Sequence, residues 1–434
     1  MERPAPRRAF CFLELPSLRR TARKCIWRSF RAARFLIQRR GPPACDHLRN
    51  AMSIVFSALV AVFVGFAASV AVILQAAQAL GATPGQTVSW VAALAIGTAL
   101  PSIWLSWRYR MPMICAWSTP GAALIAAASG FDMAQAVGAF LLAALLMMLT
   151  AAFRPLGRLI ERIPMPIASA MLAGVIFRFV VAVFDEMRLS PLLVLPLLAI
   201  FFLARLLNPF LGVVAVLIAG IAISFAGGLA HWPVGPLALT GLEIVTPRFD
   251  IGAMFGIGIP LYLVTMAAQN LPGFAVLRAA GYNPPTAPAL FATGLVSLLT
   301  APFGAHMSNL AAISASICTG PDTHPDPGQR WKAGVIYGFA YLVVAGCTGL
   351  LIALLLALPK ALIVAVAGLG LAGSFTGALG QAMSSDRELA AAVAFAVAAS
   401  SLSLFGIGSA FWSLIAGLAV LTLDFAAGRL RSRS

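Results

Sequence analysis

This chain of 434 residues reads as an all-α, polytopic membrane protein. Three observations lead there. It is 61% hydrophobic, with a mean hydropathy of +0.94. Only 10% of its residues are charged, where a soluble domain carries about 25%. Its apolar residues also fall in long continuous runs rich in Ala, Leu, Val and Gly. A soluble core has no use for that much apolar surface, whereas each bilayer span needs about 20 apolar residues. Hydrocarbon offers the backbone no partners, so only helices or closed barrels cross it. Barrel strands show short alternating segments, which these runs are not.

The first 50 residues stand apart. They hold 13 of the 30 basic residues and three acidic ones, Glu2, Glu14 and Asp46. The stretch from Arg19 to Arg40 has two readings: an amphipathic arm on anionic lipid, or a start-site artefact, with translation beginning at Met52. It lacks the uninterrupted apolar run of a signal peptide. Most of the formal charge of +16 sits in this arm, and nothing else supports nucleic-acid binding. Six scattered cysteines form no CxxC pair and no metal-ligand spacing.

From residue 51 the apolar runs place spans near 54–80, 87–107, 112–130, 133–152, 164–184, 190–207, 210–230, 251–270, 286–301, 305–319, 333–357, 360–379, 389–405 and 408–426. That is fourteen. Charge placement orients them. With the N-terminus in the cytoplasm, the inner side carries Arg108, Arg110, Arg154, Arg158, Arg162, Arg205, Arg278, Arg330, Lys332, Arg387, Arg429, Arg431 and Arg433. The outer side carries Arg188, Arg248 and Lys360. This is a strong positive-inside bias, and it puts both termini in the cytoplasm.

An internal repeat underlies the spans. Leu74–Gln78 resembles Met266–Asn270, Ser118–Leu124 resembles Ser308–Ile313, and Ile163-Pro164 with Ala170–Gly174 resembles Leu358-Pro359 with Val366–Gly368. The offset is about 190 residues each time. Seven spans per half is an odd number, so the second half enters from the opposite face, the inverted repeat of secondary transporters. The expected organisation is an arm at 1–50, a first seven-span repeat at 51–230 and a second at 251–428.

The repeat also points to a site, because such ligands sit where matching interrupted spans meet near the midplane. The first break is Ala116–Ala122, where Pro120 and Gly121 follow the capping groups Ser118 and Thr119. The second is Ala301–Asn309, with Pro302, Gly304, His306 and Ser308. Two half-helices starting in mid-membrane aim N–H groups and positive dipole ends at one spot, which suits an anion. An ordinary kinked pair is the alternative. Trp117 and Phe303 either sandwich a planar ring or pack against neighbours. Gln269, Asn270 and their counterparts Gln75 and Gln78 either bind ligand or lock helices together, since unpaired amides in a span are costly.

Ionisable groups are few. Every carboxylate after residue 50 falls at a span end or in a loop, so none is an obvious mid-membrane proton carrier. His306 is the one imidazole in a break, read either as a proton-coupling group or as a structural residue. The sequence shows no nucleotide-binding motif, acyl-transfer triad or metal cluster, hence neither a cofactor nor an enzymatic constellation. Gly368, Gly370 and Gly373 lie inside a span and read as helix-packing positions.

Several segments stand out together: Trp104–Pro112 (WLSWRYRMP), Ala116–Ala123 (AWSTPGAA), Leu263–Gly273 (LVTMAAQNLPG), Ala279–Tyr282 (AAGY) and Ala301–Gly304 (APFG), with His324-Pro325-Asp326 before Arg330-Trp331 and Gly406–Trp412 (GIGSAFW). In this combination the sequence resembles the benzoate/proton symporter family. The resemblance spans about residues 53–428. It implies the inverted-repeat fold of the uracil permease type, with core and gate domains and two broken half-helix spans. It places the ligand among Gln75, Trp117, Ser118, Thr119, Gly121, Gln269, Asn270, Phe303, Gly304, His306 and Ser308. Nucleobase relatives carry a glutamate on the eighth span, where this chain offers Gln269 and Asn270. The function implied is uptake of benzoate or a close aromatic carboxylate with protons across the inner membrane. The implied partners are that carboxylate, the proton, membrane lipid and a second copy in a homodimer. A nucleobase or inorganic-anion carrier on the same fold, and a non-transporting scaffold or receptor, stay open as alternatives.

Overall fold

A computed structural model of the chain describes residues 43–67, 69–128, 130–153, 164–207, 211–230, 240–384, 388–400, 402, 404 and 409–431. The arm before residue 43, Arg154, Arg158, Glu161, Arg162, Asp386, Arg387, Arg433 and the Gly406–Gly408 motif lie outside the described residues. Residues 53–434 form one compact unit, and of the unit before it only the helical residues 43–52 are described.

The first half holds helices Pro43–Ala67 (α1), Val70–Ala79 (α2) and Pro84–Tyr109 (α3), strand Cys115–Trp117 (β1), and helices Thr119–Ala127 (α4), Met133–Ala152 (α5), Met165–Leu189 (α6), Pro191–Leu207 (α7) and Leu211–Ala226 (α8). The second holds Ile251–Ala279 (α9), then Thr286–Thr300 (α10), strand Ser308–Leu310 (β2), Ile313–Thr319 (α11), Trp331–Gly346 (α12), Thr348–Leu356 (α13), Lys360–Ala382 (α14), Glu388–Ala399 (α15) and Ser409–Arg431 (α16). Among the described residues eight helices are long and apolar enough to cross a bilayer, α1 and α2 together counting as one, or nine if α12 and α13, bent by 64°, are one span.

Local chemistry sets the boundaries. Thr83 and Gln86 form a capping box ahead of α3, with Pro84 at its first position. Asp132 and Gln135 do the same for α5. Some expected spans differ. The first breaks between α1 and α2, where the Ser69 hydroxyl donates to the Gly65 carbonyl at 2.6 Å. The eighth does not stop at residue 270 but runs on to Ala279. Its two π-helical turns, Met254–Gly258 and Met266–Asn270, stand before Pro260 and Pro272. Such wider turns accommodate a proline ring that would otherwise end the helix.

The halves are related as an inverted repeat requires. Strands β1 and β2 pair antiparallel, with Ala116 opposite Asn309 and Trp117 opposite Ser308. Helix α6 packs against its counterpart α14. Helix α3 packs on α12, and the exchanged pair α10 on α5 packs likewise. The pairs α7–α8 and α15–α16 are equivalent too. Two helix groups result: α2–α5 with α9–α13, and α6–α8 with α14–α16. Contacts within each are far richer than those between them.

Loops also sort onto two faces. Arg248 pairs with Asp132, and Lys360 with Glu186 at 3.3 Å. Ser89, near the start of α3, takes the Glu243 amide at 2.9 Å. On the other face the Arg110 guanidinium lies 4.2 Å from the Trp331 ring centroid, and the Tyr282 hydroxyl donates to the Pro327 carbonyl at 2.9 Å. Each of these contacts among the described residues joins segments that the charge pattern assigns to the same side.

Candidate functional site

A cavity of about 540 Å³ lies between the two helix groups. Its core wall comes from the breaks. Trp117 ends β1, and its indole N–H donates to Ser69 Oγ at 2.6 Å. That bond ties the break in the first span to the break in the third. The Trp117 ring stands edge-on to Tyr341, 5.4 Å between centroids, and to Phe66 at 6.0 Å. Thr119 and Pro120 open α4 on the same wall, and Ala312, Ile313 and Ser314 open α11. Gln269 projects from the second π-turn of α9. The opposite wall is Ser169, Phe201, Arg205, Gly370, Gly373, Gly377 and Gln381. Among the described residues Arg205 is the only charged group of the lining, and no carboxylate faces the cavity.

Of the residues singled out in the sequence, Trp117, Thr119 and Gln269 line this cavity. The others sit behind it. Ser118 is buried and caps α4, its hydroxyl accepting the Gly121 amide at 3.0 Å. A Cβ on Gly121 would lie 2.5 Å from a Leu261 methyl, so this glycine serves a close helix approach. Asn270 is buried and accepts the Leu310 amide at 3.0 Å, fastening α9 to β2. Gln75 is half-buried, with its amide nitrogen unpartnered. Ser308 Oγ is likewise buried without a partner. Gly304 turns the chain at a φ of 94°.

Phe303 is not across from Trp117. Its carbonyl accepts the Ser89 hydroxyl at 3.0 Å on the far side of the core, and Tyr341 is the aromatic beside Trp117 instead. His306 is fully buried between Trp90 and Ser118 and does not line the cavity. Of the three glycines read as packing positions, only Gly368 is one: a Cβ there would lie 2.4 Å from the Phe179 carbonyl. Gly370 and Gly373 face the cavity. Sequence reasoning missed Arg205, Tyr341, Ser169 and Gln381 as lining residues. A tyrosine within an otherwise apolar span was the one signal that pointed to any of them.

A family model described as benzoate membrane transport protein matches residues 49–423. The chain belongs to that family. This transporter is 39% identical to the inner membrane protein YdcO of Escherichia coli over 380 residues, covering 86% of this chain and 96% of that one. It is 31% identical to the benzoate membrane transport protein of Acinetobacter baylyi over 369 residues, covering 85% and 94%. Its fold is similar to the transmembrane domain of a cyanobacterial bicarbonate transporter, BicA, with a TM-score of 0.57 at 14% identity, over 86% of this chain and 98% of that domain. The chain is thus a multi-pass membrane transporter with an inverted-repeat fold, and not an enzyme.

Proposed function

We propose that this transporter carries benzoate, or a closely related aromatic carboxylate, together with protons across the inner membrane. It does so as fourteen segments with both termini in the cytoplasm. The observation that carries the reading is the cavity's lining. Among the described residues it offers an aromatic pair, Trp117 and Tyr341, a helix start at Thr119, one cation at Arg205 and no carboxylate. A helix N-terminus favours a negative group. Ring edges meet a planar apolar body at contacts worth about 0.5–1.5 kcal/mol beyond area burial. At about 540 Å³ the space suits a small organic molecule.

Leu172, Phe201 and Val264 add apolar lining. Bicarbonate or another inorganic anion buries no hydrocarbon and gains nothing from such a wall. A neutral nucleobase offers Arg205 carbonyl oxygens but no counter-charge, so it forgoes the paired charges and bidentate fork that a carboxylate supplies. Uptake of labelled benzoate into proteoliposomes, competed by unlabelled benzoate, cyclohexanecarboxylate, propionate, uracil and bicarbonate, tests this. Benzoate is expected to compete best. Labelled benzoate uptake no greater than in empty liposomes, or competed better by uracil or bicarbonate than by benzoate, overturns the assignment.

A further inference from the structure

We propose that the mouth of the cavity holds a second carboxylate-binding station, built on the gate helices by Arg205, Phe201 and Gln381. It is distinct from the half-helix starts on the core wall, and it rests on the reading that this cavity carries an aromatic carboxylate.

The argument begins with position. Arg205 and Gln381 are exposed and line the cavity. They lie near the C-terminal ends of α7 and α14, and Ser169 lies near the start of α6. These ends belong to one face of the molecule. The station is therefore at an entrance, while Trp117 and Thr119 are at the breaks in the core.

The chemistry is that of aromatic carboxylate recognition. Arg205 sits one helical turn after Phe201, so the two side chains share a face, and its guanidinium lies 5.9 Å from the Phe201 ring centroid. The ring is buried and the cation exposed. One turn of helix thus presents an apolar aromatic surface beside a planar donor that pairs with a carboxylate through two parallel bonds. Gln381 is oriented for the same task. Its Oε1 accepts the Ser169 hydroxyl at 3.0 Å, which leaves the amide N–H₂ as the end free to donate. No ion pair engages Arg205 among the described residues.

Because the station lies on the gate group and the central site on the core group, movement of one group past the other changes the distance between them. A carboxylate leaving the core wall is received by Arg205, and one arriving from that face is captured there first. The station therefore sets affinity from one side of the membrane only.

The test measures benzoate exchange in vesicles of both orientations, with wild type, Arg205→Gln, Arg205→Lys and Gln381→Glu at matched membrane abundance. From the Arg205 face, Arg205→Gln is expected to raise the half-saturating benzoate concentration about tenfold, the range of a lost charged hydrogen bond. Arg205→Lys is expected to recover part of it, as a point charge without the bidentate fork. Gln381→Glu is expected to raise it as well, by placing a like charge beside the anion. From the opposite face all three are expected to stay within about twofold of wild type. Equal half-saturation in wild type and Arg205→Gln from the Arg205 face overturns the station, as does an equal rise from both faces. Absence of benzoate exchange in the wild type instead overturns the parent reading.

Discussion

The indole N–H of Trp90 donates to Nδ1 of His306 at 3.1 Å. Indole nitrogen only donates, so Nδ1 is the bare acceptor and the imidazole hydrogen sits on Nε2. That nitrogen meets the Ser118 carbonyl at 2.9 Å. Phe140 stands edge-on beside the ring, at 6.2 Å. Both nitrogens are committed, and a second proton would set two donors face to face. His306 therefore works as a strut joining α3 to the start of the half-helix α4.

The first prediction follows from that strut. His306→Ala leaves the Trp90 N–H and the Ser118 carbonyl unpaired in a buried place, at about 1–3 kcal/mol each. The purified variant is expected to melt at a lower temperature and to accumulate poorly in the membrane. His306→Gln retains one donor and one acceptor and is expected to lose less. If His306→Gln keeps wild-type melting and benzoate counterflow yet no longer accumulates benzoate on a pH gradient, the imidazole carries the proton and the strut reading fails.

Two glycines on α14 are expected to behave oppositely. A Cβ on Gly368 would lie 2.4 Å from the backbone carbonyl of Phe179, whereas one on Gly373 meets nothing within 4 Å. Backbone cannot move aside as a side-chain tip can, so Gly368→Ala forces α6 and α14 apart. Overpacking of this kind costs about 1–3 kcal/mol. Gly373→Ala is expected to fold normally, and a larger Gly373→Leu to fold but exclude bulkier carboxylates. Membrane abundance and melting temperature check the first effect, and uptake of a naphthoate against benzoate checks the second.

The contrast shows what the sequence made legible. Proline and glycine punctuate a chain visibly, so the breaks at Pro120 and Gly304 could be located from residue type alone. Trp117 and Thr119 followed from those breaks, and Gln269 from being an uncharged amide within a span. Polar side chains near a break are less readable. Ser118 and Asn270 satisfy buried backbone groups, and in a linear sequence a cap looks the same as a ligand contact. The gate wall was hidden for another reason. Arg205 and Gln381 lie more than a turn from any break in their helices, and only packing between α7 and α14 brings them to one cavity mouth.

The sidedness prediction uses the loop faces. In a cysteine-free background, Cys at Ser190 and Gly241 is expected to react with an impermeant maleimide in intact cells. Cys at Asn283, beside Tyr282 in the loop that contacts Pro327, is expected to react only after permeabilisation. The charge bias of the loops fixes these signs. Reaction at Asn283 in intact cells, with protection at Ser190, inverts the assigned orientation while leaving the fold intact.

Ring recognition is tested at Trp117. Trp117→Ala removes the edge contact with Tyr341 and frees Ser69. Competition by benzoate is expected to weaken by about threefold to tenfold, the equivalent of about 0.5–1.5 kcal/mol, while competition by propionate changes little. Trp117→Phe keeps a ring without the N–H and is expected to lie between. Equal losses for benzoate and propionate show that the indole supports the break between α1 and α2 and does not read the ring.

The last prediction concerns the driving force. A carboxylate that crosses with one proton moves no net charge, so a pH gradient alone can drive it and a membrane potential adds nothing. Proteoliposomes with an acidic exterior are expected to accumulate benzoate above the external concentration, and to do so equally at zero potential and at an imposed negative interior. Neutral benzoic acid also permeates lipid on its own, and that route follows the same gradient. Two comparisons separate it. Empty liposomes fix the passive rate, and Arg205→Gln with Trp117→Ala fixes the rate of an inserted protein with a damaged cavity. Carrier flux is the excess over both, and it saturates with benzoate where permeation does not. The cavity lining bears directly on the stoichiometry. Among the described residues it contains no carboxylate, so these supply no acidic side chain to bind a proton in the anion's absence. Protonation then accompanies the substrate, and the accumulation ratio is expected to rise tenfold per unit of pH gradient, as one proton per benzoate requires. A ratio that instead grows with interior-negative potential shows that more than one positive charge travels with each anion, and the electroneutral reading is then wrong.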